Sequence, residues 1–217
     1  MNEKIVRSTV IFDFDGTLAN SMPFLESIGV KIMMKYFGVP ENEAIKRYRS
    51  TTGLPYEHQI KMNFPEHPKN EIAIEEFERM KIDRIFEQEL FPDSEETVRE
   101  LQKRGFNVVV SSSTFQSTIE EYFRRRGILD LFTAILGYRP GFEKGADHFN
   151  YLHSKFNIPF DEMVFVGDSI KDYERSKNFC QFIALEDMFT YDDFRRAGHS
   201  GPIITNRHEI LVYITNL

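Results

Sequence analysis

Two aspartates stand one residue apart in VIFDFDGTLANS, inside what otherwise reads as the interior of a strand: Val10, Ile11, Phe12 and Phe14 surround Asp13 and Asp15. Carboxylates so placed suit nucleophilic attack, proton transfer or the holding of a cation. Three more clusters have matching chemistry. SSST at 111–114 follows the apolar run ending at Val110, Lys144 lies in GFEKGADHF, and VGDSIKD brings Asp168 and Asp172 after another apolar run. Carboxylate oxygens suit a hard, octahedral cation such as magnesium. Packed together without one, they would repel. Hydroxyls and backbone N–H groups after a strand can cradle a phosphate, and a lysine adds positive charge to the same oxygens. That set supplies positioning and charge neutralisation, which is most of what phosphoryl transfer needs.

Such residues can meet only if the chain delivers them to one edge. Thr9–Phe14 predicts a strand apolar on both faces, as in a parallel sheet. From Phe91 onward, helices at 94–104, 117–126, 146–156 and 169–178 alternate with strands at 107–110, 131–136, 163–166 and 182–185. A short helix at 191–197, Ile203-Ile204 and a last helix from Asn206 close the chain. This rhythm predicts an α/β fold, a Rossmann-like three-layer core with a parallel sheet between helices. In such sheets ligands bind beyond the carboxyl ends of the strands, where all four clusters fall. Between the first strand and the second, residues 18–90 read as helical throughout, with helices at 23–37, 41–49 and 71–90. A crossover needs one helix, so this segment predicts an inserted helical domain. The expected division is 1–17 with 91–217 as the core and 18–90 as the insert.

The 217 residues carry a net charge of −7, which argues against nucleic acid as a partner. The single cysteine, Cys180, rules out an intrachain disulfide and predicts a reducing, cytoplasmic setting. The start of the chain lacks the apolar stretch of a signal peptide, and no apolar run approaches the ~20 residues of a membrane span. A monomer is the expected state.

DFDGTLA, the VVVSS strand end, the lysine of FEKGADHF and VGDSIKD occur in the order that characterises the haloacid dehalogenase superfamily, and the chain resembles its phosphatases. The helical insert resembles that family's C1-type cap, a layout shared by phosphoglycolate-phosphatase-like and β-phosphoglucomutase-like members. The resemblance implies a magnesium-dependent phosphatase acting on a small phosphorylated metabolite. Asp13 would be the nucleophile that forms an aspartyl-phosphate, and Asp15 the acid–base. Thr17, grouped with the phosphate site, would help position Asp15. Ser111 and the backbone N–H of Ser112 would bind phosphoryl oxygens, and Lys144 would hold Asp13 and the phosphate together. Asp13, the Asp15 carbonyl and Asp168 would ligate magnesium, with Asp172 direct, through water or behind the ligands. The apolar run ending at Val110 favours Ser111 over Ser112 and Ser113 as the motif residue.

Two departures separate neighbouring activities. Dehalogenase members lack the equivalent of Asp15. Mutase members typically have Val at Thr17 and Glu-Asp at Gly167-Asp168, so this chain leans toward hydrolysis. The rivals are a phosphosugar mutase and a non-enzymatic phosphoacceptor module. Plainer readings stand beside each motif. Asp15-Gly16 alone is a common turn pair, and a calcium loop would need a glutamate where the chain has Phe24. Hydroxyls at 111–114 could cap a helix, as could Asp168 or Asp172. The six histidines read as structural or surface residues, with His58 the exception considered. Met33-Met34 read as core of the insert, and Cys180 as a small buried residue. Substrate choice is expected in the insert, with Asn20, Arg49, Thr52, Gly53 and His58 as its candidates.

Overall fold

The structure, a computed structural model, describes residues 8–214. Residues 1–7 and 215–217, assigned above to the core, lie outside the described residues. The chain separates into two compact units, one running to Ala19 and resuming at Leu90, the other Asn20–Glu89.

Among the described residues of the first unit, six strands form one sheet: β1 (Thr9–Phe12), β2 (Asn107–Phe115), β3 (Ala134–Tyr138), β4 (Met163–Gly167), β5 (Gln181–Leu185) and β6 (Ile203–Ile204). Their order is β3-β2-β1-β4-β5-β6 and every pairing is parallel, as the alternation predicts. Helices α5 (Ser94–Lys103), α6 (Gln116–Arg125), α7 (Ala146–Phe156), α8 (Ile170–Ser176), α9 (Tyr191–Arg196) and α10 (Ile210–Tyr213) fall between and after the strands. Successive side chains of a strand face opposite sides, and the register carries this across the sheet. Ile11 lies level with Val109 and Phe165, and the three share one buried cluster with Phe149, Leu152, Phe182 and Phe194. Phe12 lies level with Val110 and Val166, so the residues that follow them on the three central strands lie side by side.

Differences from the sequence reading sit at element ends. The first strand stops at Phe12 rather than Phe14. Asp13 still donates its backbone N–H to Val166 at 2.9 Å, but the Phe14 N–H turns onto the Asp13 carboxylate at 2.6 Å. The second strand continues past Val110 to Phe115, because it keeps contact with β3 through a bulge. Ser111 pairs with Leu136 and Phe115 with Tyr138. Residues 129–131 form a 3₁₀ turn, and β3 begins only at Ala134. Cys180 is half-buried rather than fully enclosed.

The second unit is helical: α1 (Met22–Phe37), α2 (Glu41–Thr51), α3 (Tyr56–Asn63) and α4 (Asn70–Arg84). The helix expected to reach residue 90 stops at Arg84, and Ile85–Glu87 is a 3₁₀ turn. Helix α3 occupies the stretch between the two Pro-containing breaks. Stacking of Tyr56 on Phe77, with centroids 3.7 Å apart, holds it to α4. Met33 is core here, but Met34 is 39% exposed. The Asn20 N–H donates to the Glu89 carbonyl at 2.9 Å, which pins the start of the unit to its end.

Candidate active site

Because Phe12, Val110 and Val166 lie level, Asp13, Ser111 and Gly167 each follow the last residue matched between β1 and its neighbours. Beyond them lies a buried set of charges. Lys144 Nζ is 2.8 Å from Asp13 Oδ1 and 2.5 Å from Asp172 Oδ1, and all three side chains are almost fully enclosed. The contact with Asp172 is an ion pair without hydrogen-bond alignment. Oxygens of Asp13, Asp168 and Asp172 come within 4.8 Å of one another. Lys144 is therefore buried at the site rather than on the surface. The loop after β3 carries it inward, and Gly145 (φ +115°) turns the chain into α7.

The electrostatics follow from this crowding. Burial, aided by the charges of Asp172 and Asp15, pushes the Asp13 pKa up to about 7 against the pull of Lys144. Burial with repulsion from Asp13 and Asp172 pushes Asp168 well above the usual carboxylate range, although Lys144 and Thr17 oppose it. Burial works against the Lys144 charge, but Asp13 and Asp172 outweigh it and raise its pKa. Hard oxygen donors, enclosed and resisting ionisation, are the donor set a divalent cation of the magnesium kind would relieve.

Asp172 has a second task. Ser169 caps α8, its hydroxyl accepting from the Asp172 N–H at 3.1 Å while Asp172 Oδ2 accepts from the Ser169 hydroxyl at 2.7 Å. The cap uses Asp172 and leaves Asp168 to accept from the Thr17 hydroxyl at 3.0 Å. Gly167 makes room for this arrangement, since a Cβ there would lie 2.7 Å from Asp172 Oδ2.

Asp15 is half-buried and held from β2. The Thr114 hydroxyl donates to Asp15 Oδ2 at 2.6 Å. The bulge between Ser111 and Phe115 re-aims this side chain, as bulges beside active sites do. Gln116 pins the bulge to β3, donating to the Ile135 carbonyl at 2.7 Å and accepting from the Gly137 N–H at 2.6 Å. Gly137 is obligatory there, because a Cβ would stand 2.5 Å from the Gln116 Cα. Behind Asp15 the chain turns through Gly16 (φ +81°), and three successive carbonyls are fastened to distant segments. Arg207 donates to Gly16 at 3.3 Å and to Thr17 at 2.6 Å, and Ser94 donates to Leu18 at 2.8 Å. Arg207 is buried over the Phe91 ring and paired with Asp93 at 3.7 Å.

The Ser111 hydroxyl is buried 2.8 Å from His148 Nδ1. Ser112 is buried too, its Oγ accepting from the Thr114 N–H at 3.0 Å. The structure thus gathers Asp13, Lys144, Asp168 and Asp172 into direct contact or close range, with Thr17 on Asp168. It adds Thr114, His148 and Arg207, which the motifs did not mark. Thr114 stood in the quoted SSST run, and His148 lies four residues after Lys144 with only that proximity as a signal. Arg207 carried none.

The insert's candidates show local engagements. Arg49 forms a two-pronged ion pair with Glu26, at 2.7 and 2.9 Å. Thr52 is buried with its hydroxyl on the Tyr48 carbonyl at 3.1 Å. Gly53 adopts φ +93°, His58 is half-buried on α3, and Asn20 is exposed. No helix among the described residues is long and apolar enough to cross a membrane.

Comparison with known proteins agrees with this geometry. The sequence model of the haloacid dehalogenase-like hydrolases matches residues 10–184. A phosphoglycolate phosphatase of Vibrio vulnificus is 25% identical over 179 residues, 78% of each chain. A predicted phosphatase from Clostridium acetobutylicum superposes with a TM-score of 0.83 at 22% identity, covering 98% of this chain and 100% of that one. A haloacid dehalogenase-like hydrolase of Streptococcus pneumoniae gives 0.80 at 21%, covering 95% and 97%. At these identities the structural likenesses establish the fold.

Proposed function

The chain belongs to the haloacid dehalogenase-like hydrolases, and on that premise we propose that this phosphatase acts on a small phosphate monoester through a phosphorylated Asp13, with magnesium in the carboxylate pocket. The observation that carries the reading is the enclosed set of Asp13, Asp168 and Asp172 around one lysine.

Lys144 and the Phe14 N–H both bond Asp13 Oδ1, which fixes the carboxylate and leaves Oδ2 as the attacking atom. Asp13, Asp168 and the Asp15 carbonyl would hold magnesium, which would supply positive charge to the carboxylates and the phosphoryl oxygens. Asp172 keeps Lys144 in place and starts α8, and so supports the pocket from behind. Ser111 donates to a phosphoryl oxygen, with the Ser112 N–H beside it. Asp15, steadied by Thr114, protonates the leaving alkoxide as Asp13 takes the phosphoryl group. It then accepts a proton from the water that releases phosphate. Thr17 acts through Asp168, whose carboxylate its hydroxyl orients.

Gly167 favours water over a sugar hydroxyl as the final acceptor. Mutase-type members carry glutamate at this position, and here even a Cβ would collide with Asp172. The insert, read as the family's cap over 18–90, is assigned the choice of substrate. Relatives named phosphoglycolate phosphatases make a small phosphorylated carboxylic acid the first compound to try. No step requires a second copy of the chain, and the one cysteine fits a reducing, cytoplasmic setting.

The test is phosphate release from a panel of small phosphate monoesters, 2-phosphoglycolate and a hexose 1-phosphate among them, with magnesium and after exhaustive chelation. We expect metal-dependent release from at least one member. Isomerised sugar phosphate with little free phosphate would overturn hydrolysis, and full activity after chelation would overturn the metal.

A further inference from the structure

His148 is fully buried on α7, its ring tilted against Phe142 with centroids 4.6 Å apart. Nδ1 meets the Ser111 hydroxyl, and Nε2 has no hydrogen-bond partner among the described residues. Burial and the nearby Lys144 charge push the imidazole pKa down to about 3, although the Gly137 backbone works the other way. The ring is therefore neutral near pH 7. So weak a base, with nothing bonded to Nε2 to orient it, does not make Ser111 a nucleophile in the manner of a serine–histidine pair.

A neutral imidazole has one N–H and one lone pair, and a serine hydroxyl has one proton to give. Were Nδ1 the acceptor, the Ser111 proton would point at the ring. It would then be lost to a phosphoryl oxygen, and a buried Nε2–H would be left without a well-aligned acceptor among the described residues. With the proton on Nδ1, the ring donates and the unpartnered atom is a lone pair. An orphaned buried donor is the rarer of the two in folded proteins.

We propose that His148 is a positioning residue that donates Nδ1–H to Ser111 Oγ, so that the Ser111 hydroxyl proton is turned toward the phosphoryl oxygen of the substrate. This rests on the reading of Ser111 as a phosphate contact. His148 acts through Ser111 and touches no reacting atom.

The test combines a spectrum with a double-mutant cycle on the full chain. Nitrogen-15 resonances of the side chain in the wild type report which ring nitrogen carries the proton, whether or not any variant folds. Protonated Nδ1 is expected, and a protonated Nε2 overturns the proposal. His148→Phe keeps the bulk without the donor, and His148→Asn returns an N–H near the Nδ1 position. With an aryl phosphate as substrate and inorganic phosphate as competitive inhibitor, His148→Phe should weaken phosphate inhibition about tenfold, the worth of a hydrogen bond to a charged group. His148→Asn should restore most of it. In a Ser111→Ala background, His148→Phe should add no further loss, because the two residues act as one unit. Additive losses, or wild-type phosphate inhibition in a folded His148→Phe, would sink the assignment while the phosphatase reading stood. A wild-type chain that hydrolyses no phosphate ester at all would instead remove that reading and this role with it.

Discussion

The sheet edge and the helical insert use polar residues in opposite ways. At the edge, Lys144 bonds Asp13, Thr114 bonds Asp15, Thr17 bonds Asp168 and Arg207 bonds the turn at Gly16–Thr17. These partners are far apart in sequence, and most are buried. In the insert, Arg49 meets Glu26 in the open and Thr52 bonds the Tyr48 carbonyl one turn back. Interactions of the second kind stabilise a helical unit and contribute little each. Interactions of the first kind keep charges enclosed at a cost in stability, which a structural role alone would not explain. The contrast marks the edge as the place of chemistry.

Substitutions at the edge should therefore change turnover far more than those in the insert. The largest effect is expected for Asp13→Asn, which removes the proposed nucleophile in a near-isosteric way. Turnover of an aryl phosphate should fall on the order of 10³-fold or more, with the circular dichroism spectrum unchanged. Residual activity within tenfold of wild type would erase the contrast.

Thr114→Val comes next. It takes one charge-assisted hydrogen bond from Asp15 while keeping the side chain's shape, so kcat should drop by about tenfold. The loss should be greater for alkyl than for aryl phosphates, since only the former need a well-placed acid. Equal losses on both would mean that Thr114 serves the β2 bulge and not Asp15.

A smaller effect concerns stability against pH in the metal-free protein. Folded Asp13 keeps its proton up to about 7, whereas its ordinary value is 3.8. The folded state then binds the extra proton between those values, so this group's contribution to stability falls as pH rises from about 4 to about 7. Asp168 shifts in the same direction. His148 works oppositely, because its ring stays neutral down to about 3 and its contribution grows as pH rises toward 6.5. The difference in melting temperature between wild type and Asp13→Asn, measured in chelator, isolates the aspartate. The wild type should lose ground to the variant across pH 4 to 7 and regain it when magnesium is added. A difference independent of pH would speak against an enclosed, uncompensated Asp13.

The smallest effect belongs to the insert. Arg49→Ala should cost no more than about 1 kcal/mol in urea unfolding, as exposed ion pairs do. A tenfold rise in KM would move Arg49 out of the structural class and into substrate contact, and the comparison would need redrawing.

The same contrast governs what the sequence could reveal. Asp13, Ser111 and Asp168 were legible because each is the first polar residue after an apolar run, and a parallel sheet brings such ends together. Gly167 was legible as a departure from the mutase pattern, although its reason, the crowding of Asp172, was not. Thr114 was hidden because its direction depends on a bulge, and only Ser111 and Ser112 of the hydroxyl run were marked for the site. His148 was passed over since a histidine on an amphipathic helix looks structural until the topology sets α7 beside β2. Arg207 lies 190 residues from the carbonyl it holds, with no local pattern to announce it. In the insert, the pattern of apolar residues revealed helices but not which polar face a substrate would meet.

The central claim is that Asp13 carries the phosphoryl group. Asp15→Asn, given magnesium and an aryl phosphate whose leaving group needs no proton, should complete the first transfer and stall before the second. Acid quenching followed by mass spectrometry of peptides should find one phosphoryl group on Asp13, with one equivalent of the phenol released in a burst. A burst with the label on another residue, or steady turnover with Asp13 never labelled, would contradict the account.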